Sequence, residues 1–250
     1  MNLKPLYLLA LVLVCTAFRF ADSPKITLWL IGDSTMANKD PKTYPENGWG
    51  MPFAGFFDST VVVDNRAKNG RSTRTFLTEG LWKPVMEQMK AGDYVFIQFG
   101  HNDEVSTKKS FTTEAEFRAN LERYVRESRS KKAIPVLLTP VSRRSFDANG
   151  KLEDTHLVYS EIVRKVAQEQ QVPLIDLNKK SQELLVKFGV EPSAFLYNHL
   201  APGEHPNYPQ GKEDNTHFNE FGARKMAQLV LADVRTLLPD LAKRIVQVKK

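Results

Sequence analysis

Cysteine is almost absent: the 250-residue chain has one, Cys15. A single thiol excludes an intramolecular disulfide framework and any zinc cage built from cysteines. Histidine is sparse too. The five histidines stand at 101, 156, 199, 205 and 217, and no Gly-Asp-x-His segment occurs. Two-metal phosphoester chemistry needs a denser set of His and Asp ligands, so that reading is set aside. No apolar run reaches the roughly 20 residues that a stable membrane-spanning helix needs. No repeat, low-complexity tract or linker is visible. What is there is ordinary for a globular chain: 42% apolar and 26% charged residues. The length suits one domain with a core of its own.

Charge of one sign is only weakly in excess. The formal balance is +6, from 35 Lys and Arg against 29 Asp and Glu. Residues 1–21 read as a secretory signal peptide. Lys4 supplies its positive start, and Leu6 to Phe18 is a 13-residue apolar run. Ala17 and Ala21 offer small residues for cleavage. Lipid attachment at Cys15 is the alternative, which the bulky Val14 before it disfavours. Removal of 1–21 takes Lys4 and Arg19 but no acid, leaving 33 basic and 29 acidic residues, or +4. That excess is too small to support nucleic-acid binding. The expected location is secreted or periplasmic, with no stable membrane span, and residues 22–250 are expected to form a single domain.

Beyond residue 25, short apolar runs alternate with helical patterns. Strands are expected at Ile26–Ile31, Val61–Val63, Asp93–Phe99, Ile134–Leu138 and Val172–Leu177. Thr113 and Glu116 form a capping box, and Phe117, Leu121, Tyr124 and Val125 follow at helical spacing, so 113–129 reads as a helix. Further helices are expected at 157–168, 182–188 and 220–238. Buried strands separated by helices imply a parallel sheet covered on both faces, an α/β fold. In such sheets ligands bind beyond the carboxyl ends of the strands.

Four polar segments are candidates for chemistry. Gly32-Asp33-Ser34-Thr35 follows the first strand, where a serine can act as a nucleophile or merely cap a turn. Asn69-Gly70 follows the second, inside a basic stretch holding Arg66, Lys68, Arg71 and Arg74. Gly100-His101-Asn102-Asp103 follows the third and could present an amide donor to an oxyanion. Asp214-Asn215-Thr216-His217 precedes the last helix. A carboxylate three residues before a histidine can accept its Nδ1–H and leave Nε2 free as a base.

Each segment alone reads more readily as a turn or a cap. Their order, however, resembles the SGNH (GDSL-type) hydrolase superfamily, from about residue 26 to 235. The Arg143-Arg144, Phe146-Asp147 and Asn149-Gly150-Lys151-Leu152 elements make the chain most similar to rhamnogalacturonan acetylesterases within it. The resemblance implies a flavodoxin-like three-layer α/β/α sandwich with a central parallel five-stranded sheet. It implies Ser34, Asp214 and His217 as the catalytic set, with an oxyanion hole from the Ser34 and Gly70 N–H groups and the Asn102 amide. No metal or organic cofactor is implied, and a monomer is expected. The implied substrate is an acetylated, acidic plant cell-wall polysaccharide, rhamnogalacturonan or pectin. Acetyl-xylan, a lipid ester, or non-catalytic glycan binding are the alternatives. Arg71 and Arg74 are expected to meet substrate carboxylates. His199 and His205, with Tyr197 and Tyr208, are expected to contact sugar at the rim.

Overall fold

A computed structural model describes residues 24–247. The expected signal peptide and Cys15 lie outside the described residues. Five strands form one sheet: β1 (Ile26–Gly32), β2 (Val61–Asn65), β3 (Tyr94–Gln98), β4 (Ile134–Leu138) and β5 (Leu174–Ile175). Their order is β2-β1-β3-β4-β5, and every pairing is parallel. This is the flavodoxin-like arrangement, as expected, and it reverses direction between β1 and β3.

Period-two alternation sends neighbouring side chains to opposite faces. Leu28, Leu30, Phe96, Val136 and Leu138 enter one core, while Trp29, Ile31, Val95, Ile97 and Leu137 enter the other. The first core is closed by α5 (Leu177–Phe188), α6 (Glu220–Leu237) and a single helical turn at Gly50–Phe53. The second is closed by α1 (Thr73–Thr78), α2 (Trp82–Gln88), α3 (Glu114–Ser130) and α4 (Leu157–Glu169). Each fully buried Leu or Phe contributes roughly 1.5–3 kcal/mol, so two apolar faces per strand explain the uninterrupted hydrophobic runs.

Local signals account for most boundaries. The Thr113 hydroxyl accepts from Glu116 N–H, and the Glu116 carboxylate accepts from Thr113 N–H, so α3 starts at its capping box. Two boundaries differ from expectation. The fifth strand keeps only two residues of the apolar run 172–177. Pro173 has no N–H to give, and the Asp176 carboxylate accepts from Lys179 N–H, which starts α5 five residues before the expected 182. In the basic stretch, Ser72 and Thr75 form a hydroxyl capping box that starts α1, a helix the sequence expectations do not include. No described helix is long and apolar enough to cross a membrane.

Candidate active site

The carboxyl ends of β1, β2 and β3 place three of the polar segments on one edge of the sheet. After β1, the chain turns at once. Asp33 O accepts from Met36 and Ala37 N–H, and Asp33 Oδ1 accepts from Thr35 N–H and Oγ1–H at 3.0 and 2.8 Å. Below the turn, Gln98 Nε2 donates to Thr35 Oγ1 at 2.7 Å, and Trp49 Nε1 donates to Gln98 Oε1 at 2.5 Å. A Cβ on Gly32 would sit 2.5 Å from the Gln98 carbonyl oxygen, so only glycine lets β1 end there. Ser34 is thus held nearly buried, at 8% exposure.

The Ser34 Oγ lies 2.9 Å from His217 Nε2. His217 Nδ1 lies 3.0 Å from Asp214 Oδ2, and the Asp214 Oδ1 accepts from the N–H groups of Thr216 and His217 at 2.8 and 2.9 Å. Burial would raise the Asp214 carboxyl. The bonds from the His217 ring and from these two N–H groups outweigh it, and hold the group well below the usual carboxylate range. A carboxylate on Nδ1 fixes the tautomer that leaves Nε2 able to accept a proton.

The second segment is tied to the first by Lys68 N–H donating to Gly32 O at 3.0 Å. Gly70 has φ +76°, a left-handed conformation that favours glycine. Lys39, buried and paired with Glu46 at 2.6 Å, also donates to Asn69 Oδ1 at 3.1 Å. Among the described residues, neither the Ser34 nor the Gly70 N–H donates to a protein acceptor. Asn102, 6% exposed, donates from Nδ2 to Arg71 O at 3.1 Å, which leaves one amide hydrogen uncommitted. Asp103 Oδ1 accepts from Thr73 N–H and Oγ1–H at 2.9 and 2.6 Å. These bonds lock the second and third segments together. Burial pushes the Asp103 carboxyl up to about 7.

The remaining sequence-predicted residues have the following partners. Arg74 donates to the carbonyls of Lys109 and Phe111, at 2.6 and 2.7 Å from Nη2. Arg71 is committed to Glu79 and to Asn69 O. Arg66 is forked onto Asp64. The guanidiniums of this loop therefore have partners within the fold, and no described contact tests the expectation that Arg71 and Arg74 meet substrate. Tyr197 is fully buried, with its hydroxyl donating to Ser142 O, so it is not a rim residue. His199 Nε2 lies 3.0 Å from Asn215 Oδ1, within the loop that carries Asp214 and His217. His205 Nδ1 accepts from Asn207 N–H, and Tyr208 donates to Thr43 O, so this loop docks on the 41–44 segment.

Two supports escaped sequence reasoning. Arg144 donates to Asn215 Oδ1, Val190 O and Ser193 Oγ, clamping the loop of His217. Lys39 braces the Gly70 loop as described. Arg144 had a signal, the Arg-Arg pair of the family resemblance; Lys39 had none. Among the described residues, no group of three or more His, Cys, Asp or Glu side chains could hold a metal ion.

Comparison with known proteins adds the following. The model of the GDSL-like lipase/acylhydrolase family matches residues 30–225. The rhamnogalacturonan acetylesterase RhgT of Bacillus subtilis is 42% identical over 213 residues, covering 85% of this chain and 90% of its own. A probable rhamnogalacturonan acetylesterase of that organism, YesY, is 32% identical, with 88% and 97% covered. Among solved structures, Bacillus subtilis YxiM superposes with a TM-score of 0.72 at 28% identity, over 85% of this chain and 56% of that one. Axe2, an acetylxylan esterase from Geobacillus stearothermophilus, shares the fold, with a TM-score of 0.60 at 17% identity, over 85% of this chain and 95% of that one.

Proposed function

Because the chain belongs to the GDSL-like lipase/acylhydrolase family, we propose that it is a carbohydrate acetylesterase. Its substrate is acetylated rhamnogalacturonan, and it acts outside the cytoplasm. The observation that carries this is the line of contacts Ser34 Oγ–His217 Nε2–Asp214, beside two uncommitted backbone N–H groups. The 42% identity to RhgT over most of both chains supports the substrate. The apolar N-terminal run supports export.

The chemistry follows from these contacts. His217 takes the Ser34 hydroxyl proton as Oγ attacks the acetyl carbonyl. Negative charge then grows on the carbonyl oxygen, and the Ser34 N–H, Gly70 N–H and Asn102 amide receive it. One such donor is worth roughly 2.7–4 kcal/mol of barrier. His217 returns the proton to the departing sugar oxygen. Water, deprotonated by His217, then attacks the acetyl-serine, and His217 passes that proton to Ser34 Oγ as acetate leaves. Asp214 stays ionised and steadies the imidazolium throughout.

The test is acetate release from acetylated rhamnogalacturonan, acetyl-xylan and a lipid ester, for wild type and Ser34→Ala. Wild type is expected to favour the first, and the variant to lose turnover while keeping its circular-dichroism spectrum. Near-wild-type activity in Ser34→Ala overturns the mechanism. Equal or better activity on acetyl-xylan overturns the substrate.

A further inference from the structure

Arg71 and Arg74 already have partners within the fold, so a cation without one is better placed to meet an acidic substrate. Several other basic residues around the site are paired, and Lys68, though exposed and in no ion pair among the described residues, makes no side-chain hydrogen bond to Ser34, Asn102 or His217 there. Lys39 pairs with Glu46, Arg143 with Glu104, and Lys212 lies 3.8 Å from Asp214. Lys108 differs. Its Nζ lies 3.5 Å from Asn102 Oδ1, its side chain is exposed, and it enters no ion pair among the described residues.

The backbone under Lys108 is unusually well fixed for an exposed loop. Thr112 N–H donates to Asp103 O and closes the loop at its ends. Inside it, Lys108 N–H donates to Val105 O, and Phe111 N–H donates to Lys108 O. Ser110 Oγ donates to Asn102 O. Arg74, reaching across from α1, holds the carbonyls of Lys109 and Phe111. A fixed base under a long cationic side chain lowers the ordering entropy of an ion pair formed there. Arg74 thus holds the loop that carries Lys108.

We propose that Lys108 forms a carboxylate subsite beside Asn102, where it ion-pairs with a uronate of the polysaccharide at or next to the sugar bearing the acetyl group. This rests on the esterase reading above and names the residue that selects an acidic backbone. No group is transferred at the subsite. Lys108 contributes to substrate affinity, and its effect falls on KM more than on kcat.

The experiment compares wild type, Lys108→Met and Lys108→Arg on acetylated oligogalacturonides and on the same oligomers with their carboxyls methyl-esterified. The sugar and ester are then constant and only the charge changes. In wild type the acidic oligomers are expected to have the higher kcat/KM, and the advantage to shrink as salt rises. Lys108→Met is expected to lower the acidic-to-esterified ratio about five- to tenfold, as for a partly exposed ion pair, mainly through KM. Lys108→Arg is expected to keep the ratio. A ratio unchanged in Lys108→Met overturns the proposal. An equal loss on both oligomers also overturns it, because that result assigns Lys108 to the Asn102 amide alone. Titration calorimetry with unacetylated digalacturonate reads the same contact without turnover. Weaker binding to Lys108→Met supports the subsite and equal binding refutes it, even if no acetate is released from any substrate and the esterase reading itself fails.

Discussion

The two halves of the site are built differently. Ser34, Gly70 and Asn102 follow three adjacent strands and are stitched to one another through Gly32, Arg71, Thr73 and Asp103. Asp214 and His217 stand on a long loop before α6, with the His217 side chain 28% exposed and held by side-chain clamps. The difference follows from what each half does in the proposed reaction. Donors to a developing charge are effective because they need not move, so a rigid strand edge suits them. A base must shed and collect protons and let the sugar leave, so it sits where solvent reaches.

Substitutions can break this contrast from either side. Asp214→Asn acts on the loop half and has the largest expected effect. It removes the charge that holds the imidazole tautomer, and kcat at pH 7 should fall about 10³–10⁴-fold. A fall under tenfold would show that His217 is oriented without it. Asn102→Ala acts on the strand half, and a loss of about 10²–10³-fold in kcat with little change in KM is expected. A change confined to KM would move Asn102 from the oxyanion to substrate binding.

Two further variants test the rigidity of the strand half rather than its chemistry. Lys39→Met leaves the largely buried Glu46 without its partner and frees Asn69. Urea unfolding should show a loss of about 3 kcal/mol, the low end for a broken buried pair. A loss below about 0.5 kcal/mol would mean that the Gly70 loop holds without this brace. The smallest effect concerns pH. The Asp103 carboxyl is raised in the folded state from its ordinary value to about 7. Between roughly pH 4 and 7 the native state therefore binds more protons there than the unfolded chain, and stability from this group falls as pH rises. Asp103→Asn places an amide where the carboxyl is protonated and removes the titration. Its stability relative to wild type should improve from pH 4.5 to pH 7. A difference that does not vary with pH would show that Asp103 stays ionised throughout.

The same contrast explains what was legible in the sequence. Strands buried on both faces appear as apolar runs, and four of the five expected strands match closely. Ser34, Asn102 and the Asp214–His217 pair lie in short local patterns whose order carries the family resemblance, and it is the resemblance that singles them out. β5 was overdrawn because a run of apolar residues does not reveal that Pro173 and Asp176 truncate it. The basic stretch is a different case. A cluster of arginines shows charge density but not its partners, and the carbonyls that hold Arg74 come 35 and 37 residues later. Lys108 went unnoticed because its meeting with Asn102 depends on a turn closed by backbone bonds, which no side-chain pattern announces.

Gly222 carries a consequence for how such a site can change over time. A Cβ there would collide with the carbonyl of Leu196, so the first turn of α6 lies directly on the backbone of the 192–196 segment. His217 stands only five residues before that contact. A side chain at 222 would push the start of α6 off that backbone, and the loop of His217 runs directly into this turn. Any residue but glycine at 222 would therefore be felt at the base as well as at the helix.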